Sequence, residues 1–104
     1  MNDKFELKYS SQFISDFKMI DFYITNNLKN NIAADNLLIK VEKEIKKRAQ
    51  NPLDYEQYKT NKGNIYYRIY IKNYIVFYTV GNNIMEVRRI IYGASDLEKI
   101  DYDI

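Results

Sequence analysis

A chain of 104 residues with 46% hydrophobic content, three glycines and one proline is expected to form one domain over residues 1–104, not a disordered segment. Without cysteine or histidine it has no disulfides, no thiolate or imidazole metal ligands and no imidazole base, so neither metal nor cofactor is expected. The net charge of +2 is unevenly spread: Lys59, Lys62, Arg68, Lys72, Arg88 and Arg89 face a single acid, Glu86, between Gln57 and Ser95, and the tail carries Asp96, Glu98, Asp101 and Asp103.

The first ten residues, MNDKFELKYS, are charged and lack the apolar run of a signal peptide, and no stretch approaches a membrane span. A soluble, cytoplasmic chain with no membrane association is therefore expected. KFELKY (Lys4 to Tyr9) alternates strictly and reads as a strand. Phe13, Phe17, Ile20, Ile24 and Leu28 then recur at helical spacing, with Ser10 or Ser11 available as the cap. The polar run NNLKNN (Asn26 to Asn31) interrupts that pattern. A second helix follows, with Ala34, Leu37, Leu38, Val41, Ile45 and Ala49 as its stripe, Glu42–Lys46 and Glu44–Arg48 as ion pairs, and Pro52 as its end. The basic run Lys46 to Arg48 falls where cations favour a helix C-terminus.

The second half is β-branched and aromatic. IYYRIYI (Ile65 to Ile71) and YIVFYTV (Tyr74 to Val80) are joined by Lys72-Asn73 as a hairpin, and GNN leads into IMEVRRIIY (Ile84 to Tyr92). Leu97 and Ile100 are expected to pack the tail back onto the sheet. The order β-α-α-β-β-β predicts an α+β fold, a two-helix hairpin on one face of a small, twisted, mainly antiparallel sheet.

Nucleophilic triads, calcium loops and glycine-rich phosphate loops are all missing. What remains is a basic, tyrosine-rich sheet. Alternation puts Met85, Val87, Arg89 and Ile91 on one side of the last strand, and Ile84, Glu86, Arg88, Ile90 and Tyr92 on the other. Arg88 is expected to pair with Glu86. Arg89, with apolar companions, needs a carboxylate, carbonyls or a ligand, and Asp96 is the local candidate.

YRIYIKNYIVFYTV followed by VRRIIYGASDLEKI resembles the RelE/ParE superfamily of type II toxin–antitoxin toxins, and KYSSQFISDFKMIDFYITNNL with AADNLLIKVEKEIKKRAQNP is similar to the strand and helix pair that open that fold. The resemblance spans nearly the whole chain. It implies the same fold and a toxin, of the kind tied to plasmid stabilisation and growth arrest, that a cognate antitoxin neutralises. RelE-like members are ribosome-dependent mRNA endoribonucleases; ParE-like members poison DNA gyrase. RelE-like nucleases typically carry an arginine where Ile75 follows Tyr74, and often another where Ser95 stands. Isoleucine supplies no charge-assisted donor to a scissile phosphate, so these departures favour the gyrase-directed branch.

Arg68, Arg89 and Tyr92 match positions common to both branches and are the expected target-binding residues. In the alternative nuclease, Lys62, Arg68 and Tyr92 would be the catalytic set. A non-toxic binding relative is the third expectation, motivated by the same Ile75 and Ser95. The expected partners are an antitoxin whose tail folds along the helix pair and sheet edge, and either gyrase or the ribosome with its mRNA as target.

Overall fold

The computed structural model describes residues 5–93. Strand β1 (Glu6–Tyr9) leads into α1 (Ser11–Phe22), which continues as a π-helical turn over Tyr23–Asn27, and α2 (Asn31–Arg48) follows. Four further strands follow among the described residues: β2 (Tyr58–Lys59), β3 (Ile65–Ile71), β4 (Tyr74–Gly81) and β5 (Ile84–Tyr92). The sheet runs β1-β5-β4-β3-β2, with β1 parallel to β5 and every other pairing antiparallel. This is the expected α+β architecture with one addition, the two-residue β2 against Tyr66 and Ile65.

Both helices start on side-chain caps. Ser10 Oγ accepts from Phe13 N at 3.0 Å, and Asn30 Oδ1 accepts from Ala33 N at 3.0 Å, each satisfying a first-turn N–H with no partner inside the helix. In α1 the buried face is carried by Phe13, with Phe17 and Ile20 packed beside it, and Ile24 continues it into the π turn. Leu28, expected on that face, is 57% exposed. The π turn adds a residue to the helical circuit, which rotates the last position out of phase. In α2, Ala34, Leu37, Val41 and Ile45 are buried, whereas Leu38 is half exposed on the flank of the stripe.

Lys46 pairs with Glu42 at 3.3 Å, but Glu44 pairs backward with Lys40 at 3.5 Å. The expected Glu44–Arg48 pair is not formed, because Arg48 turns inward. Its Nη1 donates to Arg68 O at 3.1 Å and Tyr78 Oη at 3.0 Å, and its guanidinium lies 3.5 Å from the Tyr55 ring centroid. Tyr78 Oη in turn donates to Pro52 O at 2.8 Å, pinning the end of α2 and the loop after it to the sheet.

The turns follow backbone chemistry. Asn82 and Asn83 both take positive φ, 53° and 61°, as a tight turn from β4 to β5 requires, and asparagine tolerates that region. Gly93 meets the opposite turn: its N–H donates to Asn73 O at 2.7 Å, and a Cβ there would lie 3.2 Å from that oxygen.

The sheet has two unlike faces. The helix-covered face holds the main core, with Tyr67, Ile69, Ile71, Val76, Tyr78, Met85, Val87 and Ile90 against Val41, Ile45 and their neighbours. The other face carries a smaller cluster of Tyr66, Ile75, Phe77 and Ile91. The expected alternation of β5 fails midway. Phe77 pairs with Arg89 and Tyr78 with Val87, so an extra residue, Arg88, bulges from β5. Met85 and Val87 therefore join Ile90 in the main core, while Ile91 falls on the opposite face.

Candidate functional site

On the face away from the helices, β3 presents Tyr66, Arg68 and Tyr70 in a row, as alternate residues of a strand must. Register places Tyr58 of β2 beside Tyr66, and Phe77 of β4 beside Arg68. The Arg68 guanidinium lies 3.9 Å from the Tyr58 ring centroid, within cation–π range, and 5.9 Å from Phe77. Arg68 Nη2 donates to Tyr66 Oη at 3.0 Å and Nη1 to Tyr70 Oη at 3.1 Å. Its buried Nε has no hydrogen-bond partner. Among the described residues no carboxylate pairs with Arg68.

Phenols respond to this charge. The hydrogen bond from Arg68 holds the Tyr70 hydroxyl below its ordinary value, because the cation stabilises the phenolate. The neighbouring Tyr58 is pushed up to about 12, first by its hydrogen bond with Tyr70 and then by desolvation. Partial burial pulls Arg68 down, but its bonds to Tyr66 and Tyr70 outweigh that and leave it raised. The arrangement is a permanently charged guanidinium on an aromatic platform with neutral hydrogen-bond partners.

Arg89 is treated differently. Nε donates to Asp16 Oδ2 at 2.6 Å and Nη2 to Oδ1 at 3.0 Å, a two-point grip on a carboxylate in α1, with both side chains 14% exposed. Asp16 Oδ2 also accepts from Ile90 N at 3.1 Å. This occurs where β1 has left the sheet after Tyr9 and β5 has lost its edge partner. Ser10 completes the repair: its N–H donates to Val87 O at 2.9 Å and its Oγ to Arg88 O at 2.7 Å. Arg88 itself donates to Glu86 Oε1 at 3.1 Å on the surface.

The residues singled out from sequence do not converge. Arg68 lies on the smaller-cluster face. Tyr92 pairs in register with Tyr74 and meets its ring edge-on at 5.9 Å, on the helix side of the sheet. Lys62 sits in the turn between Thr60 and Gly63, at the far end of β3 from Tyr92. Ile75 is 5% exposed within the smaller cluster. Ser95, Asp96, Leu97 and Ile100 lie outside the described residues. Among the described residues, no cluster of acids could hold a metal ion and no helix is long and apolar enough to cross a membrane.

Two contributors escaped the sequence reading. Tyr58 lies in a strand too short to show periodicity. Asp16 left a signal: it falls three residues after Phe13 and four before Ile20, a carboxylate on an apolar stripe that requires a cation opposite.

The family model described as the ParE toxin of the type II toxin–antitoxin system, parDE, matches residues 7–100. No curated protein matches the sequence. Among solved structures, the chain is similar to one from the RelB–RelE antitoxin–toxin complex of Methanococcus jannaschii, with 21% identity and a TM-score of 0.46, over 82% of this chain and 88% of that one.

Proposed function

Because this chain belongs to the ParE toxin family, and is thus the toxin of a type II toxin–antitoxin system, we propose that it arrests growth by binding DNA gyrase and not by cutting RNA. One observation carries this reading: Arg68 and Tyr92 lie on opposite faces of the sheet, with apolar Ile75 buried where a nuclease would need charge. Cleavage of RNA through its 2′-hydroxyl requires an acceptor, a donor and a cation around one phosphate. Lys62, Arg68 and Tyr92 are spread too far to supply them together.

Binding makes smaller demands. Arg68 keeps its charge without an internal carboxylate and is the principal target-binding residue; Tyr92, 52% exposed, is the second. Arg89 serves in positioning, since Asp16 neutralises it. The antitoxin is a partner protein whose segment lies along the helix pair and sheet edge. The exposed Ile14, Met19 and Phe22, which with Ser11, Ser15 and Lys18 line an open depression of about 510 Å³ on α1, support that placement.

Purified chain added to a gyrase supercoiling reaction tests the proposal. Supercoiling is expected to stop, and Arg68→Ala to weaken inhibition at least about tenfold, the loss of roughly 1.4 kcal/mol of contact energy. Unimpaired gyrase together with messenger RNA cut in translating extract would overturn it. The lowered Tyr70 phenol beside Arg68 is the feature that favours the nuclease alternative, and the same extract decides that question through Tyr70→Phe.

A further inference from the structure

At the end of the sheet where β3 turns into β4, two cavities adjoin. One, of about 540 Å³, lies on the helix side and is walled by Tyr23, Tyr74 and Tyr92 over Met19 and Leu28. The other, of about 390 Å³, continues round the turn past the same Tyr74 and Tyr92 and is lined by Lys72. Both volumes fall in the range of ligand pockets, about 300–1,000 Å³. Tyr23 belongs to the π-helical turn, a distortion that recurs at functional sites. Tyr23, Tyr92, Met19 and Leu28 are each more than half exposed, so the cavities form an open apolar patch with polar hydroxyls at its rim.

The chemistry of the lining narrows the occupant. Among the described residues no acid lines either cavity, and the Lys72 ammonium repels a cation, so the lining disfavours a cationic guest. Among the described residues Lys72 is the one cation of the lining, and it has no ion-pair partner there. One lysine matches one carboxylate. A nucleic-acid strand, with a charge at every nucleotide, calls for several cations along its path. Tyr74 and Tyr92 meet edge to face at 69°, which leaves ring faces available for a third aromatic group.

We infer that this paired cavity is a docking site for an aromatic side chain with an adjacent Asp or Glu on a partner protein, the ring entering among Tyr23, Tyr74 and Tyr92 and the carboxylate meeting Lys72. Aromatic anchors in such pockets carry most of the energy of protein interfaces. The inference rests on the reading that the chain works by binding a protein, but not on that protein being gyrase.

The test is direct binding of short Gly/Ser peptides to the full chain. Since the chain has no tryptophan, a peptide carrying Asp-Trp-Asp reports its own binding by fluorescence. Asp-Trp-Asp is expected to bind at least about tenfold tighter than Lys-Trp-Lys, and tighter by the same margin than Asp-Ala-Asp used as a competitor. Lys72→Glu should remove the charge preference and Tyr92→Ala the aromatic preference. Should Tyr92→Ala not fold, Met19→Glu, at a position 72% exposed, makes the same test. Equal affinities for the three peptides, tighter binding of an oligothymidylate, or variants that leave binding unchanged would each overturn the site. If peptide binding follows the expected order while gyrase is untouched, the gyrase reading fails and this site stands.

Discussion

Arg68 and Arg89 flank the same residue: in register, Phe77 pairs with one on β3 and the other on β5. Their surroundings are opposite solutions to one problem. Arg89 is nearly buried and meets a carboxylate at two points, so its charge is cancelled inside the fold. Arg68 is met only by phenol hydroxyls and ring faces, so its charge is supported but not cancelled. A cation neutralised internally contributes to stability and little to recognition. A cation held by neutral partners keeps its field for something outside the molecule.

The sharpest way to break this contrast is Asp16→Ala. It removes the two-point carboxylate grip on a nearly buried guanidinium and the acceptor of the Ile90 N–H at once, a loss of about 3–5 kcal/mol for one partner of a buried pair. Urea denaturation should show the midpoint falling with little change in slope. Adding Arg89→Met should recover part of the loss, because the charge that Asp16 balanced goes with it. A recovery of nothing would mean that the Ile90 and Ser10 contacts hold the edge without the ion pair. Arg68→Ala in the same assay should cost far less than Asp16→Ala.

Ser10→Ala comes next. Ser10 both caps α1 and bonds Arg88 O at the bulge, so its removal should cost about 1–2 kcal/mol, near the upper end for a helix cap. Ser10→Asp restores an acceptor for Phe13 N but cannot donate to Arg88 O. A variant as stable as the parent would show that the cap, and not the bulge contact, carries the effect.

The two arginines also mark what could be read from the chain and what could not. Local periodicity was enough for β1, both helices and the β3–β4–β5 meander, because each shows its period over its own length. The bulge at Arg88 leaves no such trace. It exists because β1 is only four residues long and β5 nine, so the lower part of β5 must find its edge partners in Ser10 and Asp16. That constraint spans more than seventy positions of sequence, and it moved Ile90 and Ile91 to faces opposite those alternation assigned. The candidate site was half visible. Arg68 and its flanking tyrosines follow from strand alternation alone, but Tyr58 reaches Arg68 only through β2, and Tyr92 turned out to face the helices.

The smallest effect probes the platform itself. Tyr70 is lowered in the fold, so its contribution to stability is full above the ordinary tyrosine value of 10.0 and is lost as pH falls through its folded value. Tyr58 is raised to about 12, so its contribution is full below 10.0 and is lost as pH rises through 12. Stability should therefore rise slightly on approaching pH 10 and fall beyond it. In Arg68→Gln the charge that lowers Tyr70 is gone, and the earliest step of phenolate absorbance should move up toward the ordinary value. A titration unchanged by that substitution would mean that the phenols do not sense Arg68, and its charge would then be no better presented than that of Arg89.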